Sequence, residues 1–137
     1  MVIASTHYFS VVLCCDICLG PAVPFRWMAP EALLESILSH ETDVWSFGVL
    51  LWEIDSYGKT PYGMFGYDDV KRELLKGGLL TKPVGGFQGL YEMAMKCWCA
   101  RPSERVTAHD LHHQLTGMLK SLAVSRTNTQ TDTSYLD

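Results

Sequence analysis

The stretch Thr42-Asp43-Val44-Trp45-Ser46-Phe47-Gly48-Val49-Leu50-Leu51-Trp52-Glu53-Ile54 decides the fold of this chain. From Asp43 to Ile54, eight of the twelve positions are large and apolar, and they do not keep to one helical face. A helix that is apolar all round must be buried on all sides. We therefore predict a buried central helix, with Thr42 as its N-cap and the Asp43 carboxylate at the positive end of the helix dipole. Because valine, tryptophan and phenylalanine also suit strands, a buried strand is the alternative, but a run of this length without a turn signal favours a helix.

Two more motifs lie on either side of this stretch. Upstream is Pro24-Phe25-Arg26-Trp27-Met28-Ala29-Pro30-Glu31-Ala32-Leu33-Leu34, and downstream is Cys97-Trp98-Cys99-Ala100-Arg101-Pro102-Ser103-Glu104-Arg105. In order and spacing, the three motifs resemble the C-terminal part of the large lobe of a protein tyrosine kinase, most closely the receptor type. The resemblance covers about residues 24 to 121. It implies a mainly α fold, namely an incomplete helical C-terminal subdomain of a kinase large lobe built around one buried central helix.

The resemblance also implies roles for particular residues. In the family, the segment before the Ala-Pro-Glu motif forms a platform beside the acceptor tyrosine, which here is Pro24, Phe25, Arg26 and Trp27. Glu31 and Arg105 match two positions that form an ion pair, and Asp43 matches a carboxylate that accepts backbone N–H groups of the catalytic loop. The plainer interpretation of Phe25 and Trp27 is that they are core residues, and the two interpretations are compatible.

Local signals predict the neighbouring elements. We expect residues 24–27 to be extended because Pro24 biases its neighbours away from helix. Proline at the first helical position predicts a short helix from Pro30 to Glu35. Apolar spacing of three and four residues predicts helices over Tyr67–Lys76, which Gly77 would end, and Leu90–Trp98. Thr107 and Asp110 resemble a capping box that starts a last helix.

Phosphoryl transfer needs chemistry that this sequence does not contain. It requires a glycine-rich loop over the phosphates, a lysine on the nucleotide, carboxylates for Mg²⁺ and an aspartate that orients the hydroxyl group. Residues 1–22 match none of these motifs, and the lysines all lie beyond Arg26. The family uses ATP and Mg²⁺, but we expect this chain to have no catalytic residue and no cofactor site. Two hypotheses remain: a partial tyrosine kinase (a fragment, isoform or incomplete gene product), or a non-catalytic interaction or decoy module that uses the large-lobe surface.

Composition limits the partners and the compartment. With 11 basic and 15 acidic residues, the net charge is −4, and no basic stretch indicates nucleic-acid binding. The longest apolar run, Tyr8 to Leu19, is too short to span a membrane. A signal peptide has a positively charged N-terminal region, and no Lys or Arg occurs before Arg26, which argues against one. The five cysteines are odd in number, which favours reduced thiols. We expect a cytoplasmic chain without a membrane span, corresponding in the family to the intracellular part of a single-pass receptor, with protein partners or tyrosine-containing substrates.

Two clusters invite a metal interpretation. The Cys15-x-x-Cys18 pair has no second ligand pair near it, so we interpret it as ordinary thiols. His109, His112 and His113 have spacings that a metal ion could use, but no carboxylate or cysteine partner is evident, and solvated or half-buried histidines are the favoured interpretation.

The sequence divides the chain into three parts. Residues 1–22 are an apolar segment outside the family pattern, residues 23–122 are the partial kinase domain, and residues 123–137 are a polar tail expected to be disordered. Tyr135 lies in this tail among polar residues and is a possible phosphorylation site.

Overall fold

The structure is a computed structural model that describes residues 23–130, with side chains described for residues 23–124. The described part is helical and contains no strand, which confirms the mainly α prediction. Five α-helices follow one another along the chain: α1 (Pro30–Glu35), α2 (His40–Asp55), α3 (Tyr67–Leu75), α4 (Gln88–Cys97) and α5 (Ala108–Gln130). One 3₁₀ turn, η1 (Phe25–Trp27), precedes α1, and a second, η2 (Pro102–Glu104), lies between α4 and α5 in sequence. The chain divides into two compact units at Arg105, and each is described separately below.

The central helix α2 begins three residues earlier than the sequence suggested. Ser39 is the N-cap, and its hydroxyl oxygen accepts a hydrogen bond from the Thr42 N–H group at 3.4 Å. Thr42 occupies the third helical position, where its own hydroxyl accepts the Ser39 N–H group at 3.0 Å. The prediction that Thr42 is the N-cap was therefore wrong, because a serine one turn upstream forms a reciprocal capping box with it.

Helix α2 is buried on most of its surface but not on all sides. It packs against α4, η1 and η2, and Val44, Trp45, Val49 and Leu51 are buried. Phe47 and Leu50 are only half-buried, and Ile54 is 58% exposed. These three residues recur at helical spacing on one face. The apolar pattern alone predicts burial on all sides, and this does not hold for the face. The family resemblance implies cover for Val49, Leu50 and Ile54 from elements that this chain lacks, so we expected these three residues to be partly uncovered. Leu50 and Ile54 are, whereas Val49 is fully buried.

The close approach of α2 and α4 depends on a glycine. A Cβ atom at Gly48 would lie 2.6 Å from Cys97 Cβ and 2.7 Å from Trp98 Nε1. Cys97 itself is fully buried, and this burial raises the pKa of its thiol to about 12. Gly48 therefore sets the distance between the two helices.

The smaller helices follow the sequence signals closely. Helix α1 has Pro30 at its first turn, as predicted. Helix α3 ends at Leu75, one residue before the predicted Lys76, which is its C-cap, and Gly77 follows with a φ of 76°, a conformation that favours glycine. Helix α4 begins at Gln88 rather than Leu90 and ends at Cys97 rather than Trp98.

Residues 25–27 form a 3₁₀ turn and are not extended as predicted. The Trp27 N–H group donates to the Pro24 carbonyl at 3.0 Å, and Met28 N–H donates to Phe25 at 3.3 Å. A proline restricts the residue before it, so Pro24 leaves the three residues that follow free to turn. The rule does hold at Ala29, which precedes Pro30 and is extended.

The second unit, described from Val106 onward, consists of α5. The Asp110 N–H group donates to the Thr107 hydroxyl oxygen at 3.1 Å, and that hydroxyl donates to the Asp110 carboxylate at 2.8 Å. Thr107 thus caps the helix, although Asp110 does not close the full reciprocal box. Helix α5 continues to Gln130, eight residues past Leu122, where the sequence predicted the tail to begin. No glycine or proline occurs in residues 123–130 to stop it.

Several predicted features lie outside the described residues. They include the thiols Cys14, Cys15 and Cys18 and the possible phosphorylation site Tyr135. Within residues 23–130, no helix is long and apolar enough to cross a membrane.

Candidate functional site

The predicted platform is fixed by one arginine. Arg26 donates from Nη1 to the backbone carbonyls of Pro61 at 2.9 Å and Gly63 at 3.0 Å. Its guanidinium also lies 5.0 Å from the centre of the Phe25 ring, which in turn meets the Tyr67 ring edge to face at 5.6 Å. The 3₁₀ turn η1 is therefore joined to the loop before α3 and to α3 itself.

Two further hydrogen bonds attach the platform to α2. Trp27 donates from Nε1 to the Glu53 carboxylate at 3.1 Å. The Ser46 hydroxyl donates to the Trp27 carbonyl at 2.8 Å. Phe25, Arg26 and Trp27 are all half-buried, which matches a segment that packs on one side and faces solvent on the other.

Sequence reasoning identified the platform but missed the residues that hold it. Glu53 and Ser46 appeared only as polar positions in an apolar helix, and the 56–63 segment only as a turn-rich loop. A charged residue and a serine on a helix expected to be buried were the available signals, because buried polar groups need partners.

The loop that receives Arg26 is itself well packed. Pro61 is buried, and Tyr62 adopts a left-handed conformation with a φ of 60°. Burial, helped by the nearby Glu73 charge, raises the pKa of Tyr62 to about 12. Tyr62 is therefore neutral at physiological pH and acts as a packing residue.

The structure brings the predicted pair Glu31 and Arg105 together. Arg105 donates from Nη1 to Glu31 Oε1 at 2.5 Å and from Nη2 to Oε2 at 2.9 Å, and the two side chains are 0% and 12% exposed. Arg105 also donates to the carbonyls of Cys99 and Glu41, both at 2.9 Å, and its guanidinium lies 5.0 Å from the Trp45 ring centre. This bidentate pair ties α1, the start of α2 and the loop around η2 to one another.

Asp43 lies on the less covered side of α2, in the first turns of the helix. Partial burial raises the pKa of its carboxyl group, and the charge of His40 opposes that effect. The structure therefore places Asp43 where its charged form is mildly disfavoured. Asp43 lies on the same helical face as Phe47, Leu50 and Ile54, at the N-terminal end of that face.

The His, Cys, Asp and Glu side chains of the described residues are the candidates for holding a metal ion. No group of three or more His, Cys, Asp or Glu side chains in residues 23–130 is arranged to hold a metal. Lys59, Lys76 and Lys82 are exposed, and Lys82 donates to Gln88 at 2.7 Å. Phosphoryl transfer requires positioned carboxylates for Mg²⁺ and a lysine on the nucleotide.

Comparison with known proteins agrees with the family resemblance of the three motifs. The family model for protein tyrosine and serine/threonine kinases matches residues 18–115. The chain is 43% identical to fibroblast growth factor receptor 1 of Xenopus laevis over 97 residues, which are 71% of this chain and 12% of the receptor. It is 37% identical to tyrosine-protein kinase Abl of Drosophila melanogaster over 106 residues, which are 77% of this chain and 6% of that kinase.

The chain thus spans a small part of the length of the curated relatives it matches. The matched range contains all three motifs and all the residues of the platform. It confirms the tyrosine kinase resemblance found from those motifs. The chain belongs to the protein tyrosine and serine/threonine kinase family.

Proposed function

We propose that this chain supplies the substrate-binding shelf of a tyrosine kinase large lobe and does not transfer phosphate by itself. The observation that carries the proposal is the platform, in which Arg26 and Trp27 are held by four side-chain and backbone hydrogen bonds to Pro61, Gly63, Glu53 and Ser46. A binding surface that is rigid before its ligand arrives loses less entropy on binding. The four hydrogen bonds hold the segment in place before any ligand is bound.

The proposed ligand is a protein segment that presents a tyrosine. Its aromatic ring would lie against the solvent-facing side of η1, where Phe25 and Trp27 are half-exposed. The relatives are named a growth factor receptor and a tyrosine-protein kinase, and on that ground we extend the proposal to protein tyrosine substrates and a cytoplasmic location. ATP and Mg²⁺ would have to be held by residues that this chain does not contain.

A titration of isotope-labelled chain with a tyrosine peptide, followed by nuclear magnetic resonance, tests this proposal. We expect saturable shifts at the Trp27 indole and at Gly63, and none with the same peptide carrying alanine for tyrosine. Arg26→Ala frees the Pro61 and Gly63 carbonyls and should weaken binding several-fold, whereas Lys71→Ala on α3 should not. Identical shifts with both peptides would overturn the proposal.

A second candidate is a non-catalytic interaction module, and one observation favours it. Met64 is 99% exposed, and Phe65 and Tyr67 are more than 40% exposed beside it in sequence. Contiguous exposed apolar residues on a soluble surface are typical of protein contacts. Met64→Asp separates the two functions: it should abolish partner binding at this surface and leave tyrosine-peptide binding at η1 unchanged.

A further inference from the structure

Helix α5 carries a pair of histidines one helical turn apart. His109 and His113 are both exposed, and their ring centres lie 4.6 Å from each other. His112 lies on a neighbouring position, with its ring centre 6.0 Å from that of His113. Two imidazoles at positions i and i+4 share one face of a helix and can bind a single metal ion.

The distance between the rings can be compared with what a shared ion would require. With metal–nitrogen bonds of about 2.0–2.1 Å and a nitrogen roughly 1.1 Å from its ring centre, each ring centre lies about 3.2 Å from the metal. Two such rings are about 4.5 Å apart when the angle at the metal is near 90°, and about 5.2 Å apart at a tetrahedral angle. The observed 4.6 Å, with an interplanar angle of 71°, places the two rings close enough for one ion to reach both after a side-chain rotation.

We propose that His109 and His113 form a bidentate surface site for a divalent transition metal such as Ni²⁺ or Cu²⁺. Imidazole suits these ions, and they bind nitrogen ligands more tightly than the earlier metals of the row. Water completes the coordination, because the two rings are exposed and the described residues supply no third ligand. Asp110 is not a ligand, since its carboxylate accepts the Thr107 hydroxyl at the helix start.

Metal binding at this pair would also stabilise the first turns of α5. The pair joins positions separated by one turn immediately after the Thr107 cap. A ligand that binds only the helical form shifts the equilibrium towards that form. Nickel should therefore increase the helical content or the melting temperature of this segment, which a non-specific surface ion would not do.

The test is calorimetry of the full chain with NiCl₂ at about pH 7.5, where free imidazole is mostly neutral. His109→Ala and His113→Ala should each weaken binding by about tenfold or more, because the second imidazole no longer binds intramolecularly. His112→Ala is the matched control and should leave the affinity within about twofold of the parent chain.

Cysteine thiols as a class can also bind nickel, so the histidine variants decide the assignment. Heat that is unchanged in His109→Ala and in His113→Ala would overturn the proposal and place the ion elsewhere. A loss in His112→Ala as large as in His109→Ala would also contradict it. Circular dichroism with and without Ni²⁺ provides the second readout: a gain in helix signal in the parent chain that is absent from both variants supports the site.

Discussion

At the scale of single residues, Gly48 controls how closely α2 and α4 approach. Gly48→Ala places a Cβ 2.6 Å from Cys97 Cβ, which belongs to a packed helix and cannot move away freely. We expect a loss of about 1–3 kcal/mol in the free energy of unfolding, measured by urea denaturation.

Gly117→Ala on α5 is the matched control for this prediction. No heavy atom lies within 4 Å of the Cβ that it would add. Alanine should therefore stabilise the helix by up to about 1 kcal/mol. If Gly48→Ala is as harmless as Gly117→Ala, the packing of α2 on α4 is looser than described.

Asp43 makes the free energy of unfolding of the chain depend on pH. Partial burial raises the pKa of its carboxyl group in the folded state. A raised folded-state pKa means that the contribution of the group to stability is present below its unfolded pKa, about 3.9, and is lost as pH rises through the folded value. Asp43→Asn should therefore be more stable than the parent at pH 7, and the difference should shrink as pH falls towards 4.

The expected size of this effect is small, because the side chain is largely solvated. We expect less than about 1 kcal/mol at pH 7, measured by urea denaturation at several pH values. A variant that is less stable at pH 7, or a difference that grows on acidification, would show that the charged form of Asp43 is favoured in the folded chain.

At the scale of elements, the pair Glu31–Arg105 joins segments that are far apart in sequence. Removal of one partner leaves a buried charge without its counterion, because Arg105 is fully buried and Glu31 is 12% exposed. Each single variant, Glu31→Ala or Arg105→Ala, should cost on the order of 3–5 kcal/mol of unfolding free energy. A double-mutant cycle measures the coupling, and the double variant should cost much less than the sum of the singles.

The exposed pair Arg101–Glu104 is the control for that cycle. Its side chains are 79% and 52% exposed at an N–O distance of 2.7 Å. Exposed pairs at this spacing contribute about 0.5 kcal/mol or less. Additive effects of Glu31→Ala and Arg105→Ala would mean that the buried pair contributes no more than this surface pair.

The elements also show what the sequence could and could not predict. Local signals predicted α1, α3 and the helical conformation of α2. Pro30, Gly77 and the long apolar run each determine the conformation of only the residues next to them, so these elements could be predicted from the sequence. The start of α2 was missed since two residues compete for the cap, and Ser39 and Thr42 form one motif together. The Arg26 side chain attaches the turn at residues 25–27 to Pro61 and Gly63, which lie 35 and 37 residues away, and no local pattern predicts such contacts.

The platform shows the same limit more sharply. Motif resemblance identified Pro24, Phe25, Arg26 and Trp27, but Glu53 and Ser46 hold the platform through contacts formed only in the fold. The exposure of Ile54 depends on which elements are present around α2. Apolar spacing alone predicts its burial, whereas the absence of the family elements that cover this position predicts the exposure that is observed.

At the scale of the whole molecule, the partly uncovered face of α2 should lower the stability of the chain. If a few hundred Å² of apolar surface stays in water, about 25 cal/mol per Å² is forfeited, a large share of the ~5–15 kcal/mol of a typical domain. We expect binding of a hydrophobic dye and a melting temperature below about 55 °C.

Two variants locate the source of this dye binding. Ile54→Gln should reduce it, because Ile54 is the most exposed apolar residue of that face. A chain that starts at Ala22 should bind more dye than the full chain if the apolar residues 1–22 cover the face. A cooperative melt above about 55 °C without dye binding would mean that the core is closed.

The central claim is that the chain keeps the large-lobe scaffold of its family without the nucleotide chemistry. Calorimetry of the full chain with Mg-ATP, combined with transfer of radiolabelled phosphate to a generic tyrosine peptide, tests that claim most directly. We predict no binding heat at micromolar ATP and no label above a blank without protein. The reason is that the sequence matches neither the glycine-rich phosphate loop nor the nucleotide-lysine, catalytic-loop and metal-binding motifs that the reaction requires. Micromolar ATP binding, or phosphate transfer that scales with the concentration of the chain, would contradict the account.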